Sequence, residues 1–367
     1  MPNEYKIIDN HVHIAGPGDQ FPDDFYWHKR FSKGMGFLGL TILKGWWPFK
    51  KVNDQLMINS LLFQTRTMKK IDYAAILAFD HAYDVDGNCL GPGNGDKTTM
   101  FVSNRFVDEF CKENRNLLLG LSVHPFRNDA AEELEKYHHN AVCCKLMASA
   151  QLIDFEDPKG KEKLALFYDK LVELKLPLLF HSGVETSIPC AEGEEIHEKY
   201  NSPLWLRDAL DKGVTVILAH CGCSYFDRFF PQEDSMREET LQLFREMKRE
   251  NKNWNLYADT SALFSPFRKW KHLEEIFSVI PEDRLIYGSD YPNPAKGKKE
   301  FLLKCLAIFK DVNLIDRYFK ISKKWLPRYY NHFDTILTNY HRLLENLDRG
   351  HIIAEKEEQR KRWEGQP

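Results

Sequence analysis

Eight short apolar runs recur along the chain, and this repetition limits the folds open to it more than any other feature. The runs are YKIIDNHV (5–12), YAAILAF (73–79), LLLGLSV (117–123), AVCCKLM (141–147), LPLLFH (176–181), VTVILAH (214–220), NLYADTS (255–261) and RLIYGSD (284–290). Nearly continuous hydrophobicity, rather than strict alternation, suits strands covered on both faces in a parallel sheet. Between them, VSNRFVDEFCKEN, KLALFYDKLVELK, PLWLRDALDKG and EETLQLFREMKRE carry apolar residues at three- and four-residue spacing, with charge on the opposite face. Gly213 and Asn251 stand where helix C-caps would fall. Alternating strands and helices predict an α/β fold, and eight repeats predict a closed (β/α)8 TIM barrel. An open doubly wound sheet is the alternative. No GxGxxG follows the first run, which weakens a dinucleotide-binding version of that sheet.

Three segments depart from the repeat. Residues 14–58 separate the first strand from its helix and hold Phe21, Phe25, Tyr26, Trp27, Phe31, Trp46, Trp47 and Phe49. Following a strand, this insertion would lie at the C-terminal face of a barrel, as a lid or pocket wall, or equally as a packed subdomain or dimer contact. Residues 188–203 form a second, acidic loop on the same face. Residues 347–367 form a charged C-terminal tail in which Glu357 and Lys361 have helical spacing, so a solvated or frayed helix is expected beyond a single barrel over residues 1–346.

Composition excludes several functions. With 51 basic and 54 acidic residues the formal charge is −3, so nothing points to nucleic acid or an anionic membrane. No apolar run approaches the roughly 18 residues of a membrane span, and MPNEYK lacks the features of a signal peptide. Eight cysteines without a CxxC pair fit a reducing cytoplasm better than a disulfide framework, and Cys221 and Cys223 of AHCGC read as small packed residues rather than ligands. A small-molecule substrate is the expected partner.

The strand ends carry the chemistry. In YKIIDNHVHI, alternation would send Asp9, His11 and His13 to one face. An isolated HxH is a weak signal, but His181 ends the fifth run, His220 the sixth and Asp290 the eighth. In a barrel these ends converge on one mouth. Four imidazoles and a carboxylate there form a ligand set for zinc or a similar divalent ion. His124 ends the third run with Arg127 just beyond, and either could bind an anionic substrate group or simply hydrogen-bond within the mouth. His81, after the second run, is similar. Asp9 could orient a ligand from behind, as could Asp259 and Ser261 at the seventh strand end.

The segments DNHVH, CCKLM, FHSG, ILAHCG, LYADTSA and YGSDYP make the sequence resemble the amidohydrolase superfamily. The likeness is to the TIM-barrel metal-dependent hydrolases related to aminocarboxymuconate-semialdehyde decarboxylases, and it spans about residues 5–346. ILTNYHRLL resembles the family's terminal helix, with Tyr340 in place of the usual Ala. The resemblance implies that His11, His13 and His181 are metal ligands and that Asp290 is a fourth ligand or a nearby base. It implies that His220 orients the attacking water, or is a ligand in two-metal members. Lys145 would be an unmodified ammonium that binds a substrate carboxylate or a nearby acid, which KLM favours, a carboxylated bridge between two metals, or a structural lysine snorkelling from the mouth. One ion, Zn2+ or else Mn2+, is expected rather than two. The expected activity is hydrolysis of an amide, lactone or ester of a small substrate, with or without a carboxylate, by metal-activated water. Non-oxidative decarboxylation of an aromatic or muconate-type acid is the alternative.

Overall fold

A computed structural model describes residues 5–33, 51–185, 187–193, 199–224, 235–265, 268, 271–293 and 313–364. Ten strands occur among them: β1 (Ile8–His13), β2 (Phe25–Trp27), β3 (Tyr73–Leu77), β4 (Met100–Val102), β5 (Leu117–Leu121), β6 (Ala141–Leu146), β7 (Leu178–Phe180), β8 (Val216–Leu218), β9 (Leu256–Asp259) and β10 (Leu285–Ile286). The eight expected runs form one sheet in the order β1-β3-β5-β6-β7-β8-β9-β10, and every neighbouring pair is parallel.

Backbone bonds join the two edges of that sheet. Asn10 N donates to Tyr287 O at 3.2 Å, His13 N to Tyr291 O at 2.9 Å, and Asp290 N to His11 O at 2.9 Å. The ring is therefore closed, and the open doubly wound alternative does not apply. Gly288 permits the close approach at this seam, because a Cβ there would lie 2.3 Å from Asn10 Oδ1 and 3.0 Å from His11 Cβ.

Two apolar layers hold the barrel. One lies between strands and outer helices and includes Val12, Ile76, Leu119, Phe180 and Leu218. The other fills the barrel's lower interior with Ile8, Tyr73, Leu118, Leu179, Ile217 and Ile286, and Tyr340, Leu343, Leu344, Ile352 and Ile353 cover it from below. These last residues come from helices Phe333–Asn346 and Gly350–Glu364. Asn339 donates to the carbonyls of Glu282 and Leu285, and Tyr340 donates to Val142 O at 2.9 Å, so both side chains tie the helix to strand starts.

The tail expected to be a solvated or frayed helix is a helix packed in its first half, up to Glu357, and mostly exposed beyond it. Ile352 and Ile353 are buried, Lys356 donates to Cys111 O, and the Tyr73 hydroxyl donates to Glu357. Its charged residues mask two adjacent isoleucines whose burial outweighs fraying.

The insertion also differs from expectation. Helix Asp54–Thr67 begins inside the 14–58 segment, capped by Asn53, whose side chain accepts from Leu56 N. Residues 34–50, with Trp46, Trp47 and Phe49, lie outside the described residues. Within 14–33, β2 pairs antiparallel with β4. Buried Asp54 gathers the loop by accepting from Gly18, Gln20 and Phe21 N–H, each at 2.9 Å. In the acidic loop, Ala191 O accepts from Arg30 at 2.9 Å, and residues 194–198 lie outside the description. Among the described residues no helix is long and apolar enough to cross a membrane.

Candidate metal centre

The β1–β3 register shifts between Asp9 and Val12, and this irregularity decides which β1 side chains reach the mouth. Ile8 faces the inner layer and Val12 the outer one, so strict alternation is broken between them. His11 and His13 emerge together above the inner layer, their Nε2 atoms 3.1 Å apart. Asp290 Oδ1 lies 3.3 Å from His13 Nε2 and 3.5 Å from His11 Nε2. Asp9 is left behind. Its Oδ1 accepts from the backbone N–H groups of His11 and Ser289 rather than from an imidazole, and burial pushes its pKa up to about 7.

Asp259 takes the orienting role instead. Its Oδ2 lies 2.8 Å from His11 Nδ1, while its Oδ1 accepts from His220 N at 2.8 Å, from Ser261 N at 3.0 Å and from the Ser261 hydroxyl. Burial would raise this carboxyl's pKa, but His11, His220 and Ser261 together hold it below the ordinary value. The anion fixes two tautomers. Facing a carboxylate, His11 Nδ1 carries the proton, so Nε2 presents its lone pair. The Ser261 hydroxyl gives its only proton to Asp259, so toward His220 Nδ1 at 2.8 Å it can only accept. His220 Nδ1 is therefore the protonated nitrogen and Nε2 the free base. Burial, with the Lys145 charge adding to it at His11, pushes these imidazoles down to about 4 for His11 and about 3 for His220, which keeps both neutral.

Three potential ligand atoms face one another: His11 Nε2, His13 Nε2 and Asp290 Oδ1. Their separations of 3.1, 3.3 and 3.5 Å match those of donors sharing one small cation. Ligands about 2.0–2.1 Å from a tetrahedral zinc stand about 3.3–3.4 Å from each other. His11, His220 and Asp259 form a second group with ligand atoms all within 4.8 Å, although the Asp259 oxygens are already engaged. His220 and Asp290 both have left-handed backbones, with φ of 59° and 61°, and such strain at non-glycine residues gathers where a site needs it.

His181 stands apart from both groups. Its ring centroid lies 5.1 Å from that of His220, and its buried Nε2 has no hydrogen bond among the described residues but lies 3.5 Å from Glu185 Oε2. Glu185, unnoticed in the sequence, is buried, and its other oxygen accepts from Ser187 and Ile188 N–H. A carboxylate four residues beyond a strand-end histidine was the available signal. Lys145 is fully buried, with Nζ 3.5 Å from His11 Nε2. Burial lowers its pKa to about 8 against the opposing pull of Asp259 and Asp290.

Two expected anion binders are occupied within the fold. His124 uses both ring nitrogens, Nε2 on Gln151 O at 2.9 Å and Nδ1 accepting from Phe126 N at 3.0 Å. Arg127 grips Asp129 through two bonds of 2.8 Å and reaches Asp80 at 3.2 Å. Sequence placed both near the mouth but could not show partners already in position. His81 stacks on Phe101, with ring centroids 3.7 Å apart. Cys221 and Cys223 are packed in the outer layer, as expected.

The chain matches the family described as Amidohydrolase over residues 8–318, and it belongs to that family. No curated relative matches it by sequence. Among solved structures it is similar to an uncharacterized TIM-barrel protein from Bordetella bronchiseptica, at 14% identity and TM-score 0.53, covering 94% of this chain and 100% of the other. It is similar to 2,6-dihydroxybenzoate decarboxylase from Rhizobium, at 13% identity and TM-score 0.50, covering 93% and 99%. An amidohydrolase from Burkholderia multivorans with bound zinc is also similar, at 12% identity and TM-score 0.50, covering 92% and 98%. These likenesses show the fold.

Proposed function

We propose that this protein is a hydrolase of a small amide, lactone or ester that depends on one divalent ion, zinc in the first instance. The observation that carries this reading is the convergence of His11 Nε2, His13 Nε2 and Asp290 Oδ1 at 3.1–3.5 Å, with both ring tautomers around Asp259 presenting lone pairs. His11, His13 and Asp290 would hold the ion, with His181 and His220 bordering it. When bound, such an ion polarises a carbonyl and lowers the pKa of water to about 7.

The chain's own groups supply the rest. Asp290, whose Oδ1 faces His13 Nε2 at 3.3 Å and His11 Nε2 at 3.5 Å, can take a proton from the attacking water. It later returns that proton to the leaving atom. Neutral His220 orients the water through Nε2, and the Lys145 ammonium stabilises developing negative charge on the substrate oxygen. Non-oxidative decarboxylation would use the same donors, with Lys145 holding the carboxylate that departs.

The test is to incubate zinc-loaded and chelator-treated protein with esters, lactones, amides and aromatic acids in heavy-oxygen water. Zinc-dependent incorporation of heavy oxygen into product, abolished in His11→Ala, is the expected result. Carbon dioxide release without incorporation would replace hydrolysis with decarboxylation. Failure of the wild-type protein to bind any divalent ion would remove both.

A further inference from the structure

With His124 and Arg127 occupied, another buried cation borders the mouth. Arg268 lies beyond β9 and is 3% exposed. Its Nη1 donates to the carbonyl of His220 at 3.3 Å, which sets the guanidinium against the strand end that carries this imidazole. Among the described residues its buried Nε has no hydrogen-bond partner and no carboxylate pairs with it. The charge is felt at the His220 ring, the Cys221 thiol and the Tyr318 hydroxyl.

The other two buried arginines among the described residues are differently placed. Arg237 pairs with Glu275, and Arg349 fans its donors over the carbonyls of Ala141, Leu174 and His138. Among the described residues the Arg268 side chain makes one long hydrogen bond, and a cation so buried is destabilising unless an anion arrives to meet it. A guanidinium offers a planar fork of donors that matches a carboxylate bidentately.

We propose that Arg268 is the anion-recognition residue of this site, receiving a carboxylate of the substrate on its Nε edge beside His220. This deepens the hydrolase reading, on which it rests, by restricting the substrates to small carboxylic acids with a hydrolysable group near the acid.

The test is calorimetric titration of the zinc-loaded protein with benzoate, its neutral isostere benzamide, and inorganic phosphate. Benzoate is expected to bind and benzamide to bind at least about 30-fold more weakly, because only the former brings a charge to the fork. Arg268→Gln should weaken benzoate by about 30-fold and Arg268→Lys by about 10-fold, since the ammonium keeps charge without the fork, while zinc content stays unchanged. Arg268→Lys carries the test if the glutamine variant does not fold.

The double variant His11→Ala/His13→Ala, which should hold no zinc, is expected to bind benzoate within about threefold of wild type, a change under 1 kcal/mol. That arm separates this proposal from the metal reading: a wild-type protein that binds benzoate but no zinc would sink only the latter. Equal benzoate binding by wild type and Arg268→Gln would overturn the assignment. So would preferential binding of phosphate, or a wild-type protein indifferent to benzoate.

Discussion

Asp259 touches no atom of the three-donor triangle directly, yet it decides where two protons sit around it. Replacing it with Asn would offer His11 Nδ1 an amide that can donate as well as accept, and the Nε2 lone pair would no longer be assured. Asp259→Asn is expected to lower zinc affinity by about 10- to 100-fold in chelator competition, the usual effect of losing a partner that orients a ligand. Lys145 supplies a prediction of opposite sign. Its ammonium, 3.5 Å from His11 Nε2, repels a divalent ion while protonated, and that charge is lost as pH rises through about 8. Lys145→Met is therefore expected to bind zinc about tenfold tighter at pH 7, with the difference gone by about pH 10, where wild-type Lys145 is neutral. A carboxylated Lys145 would reverse the sign. Because folding depresses this pKa below 10.5, the unfolded chain binds more protons between about pH 8 and 10.5, and Lys145 makes the metal-free fold more stable as pH rises through that window. His11, His13 and Asp290 were legible because strand-end placement in a barrel needs only pattern and order. Asp9 was misplaced because no pattern announces the irregularity in β1, and the burial of Arg268 without a carboxylate among the described residues is a property of three dimensions that sequence does not carry.

The mouth loops hold together through polar contacts between distant segments. Tyr26 OH donates to Asp96 at 2.8 Å, His28 Nε2 lies 3.2 Å from the same carboxylate, and Arg30 reaches Ala191 O, so three loops meet at one edge. Beneath them, Asp54 accepts three backbone N–H groups and returns its own N–H to Asp19 Oδ1 at 3.0 Å. Asp54→Ala leaves those donors without an acceptor, and a loss of about 2–3 kcal/mol in urea unfolding is expected, with faster tryptic cleavage in residues 14–33. An unchanged urea midpoint would show the latch to be idle. All eight barrel strands were readable as apolar runs, each a few residues longer than its ladder. RLIYGSD shrinks to two ladder residues because its remainder closes the seam through single bonds to β1. The β2–β4 pair was unreadable, since three-residue strands have too little length to show a period.

The whole molecule is stoppered at the end opposite the site. Arg349 donates to the carbonyl of Ala141 at the start of β6 and to that of Leu174 at the end of the helix Pro158–Glu173, and the helix after it lays Ile352 and Ile353 beneath Ile8 and Tyr73. Ending the chain after Leu347 should expose that apolar floor. A lower urea midpoint and binding of a hydrophobic dye are expected, and a truncated protein as stable as the full chain would refute the role. Charge alternation hid this element, because in KEEQRKRW it dominates the residues around a short apolar pair. The seam has a consequence for how the protein matures. His11 and His13 leave the ribosome before the carboxylate they face, which is translated almost 280 residues later. A nascent chain can therefore hold no complete triangle until the eighth repeat has emerged and docked on the first. Under the proposed function, ion loading waits for Asp290, and any fragment broken off before it lacks the triangle.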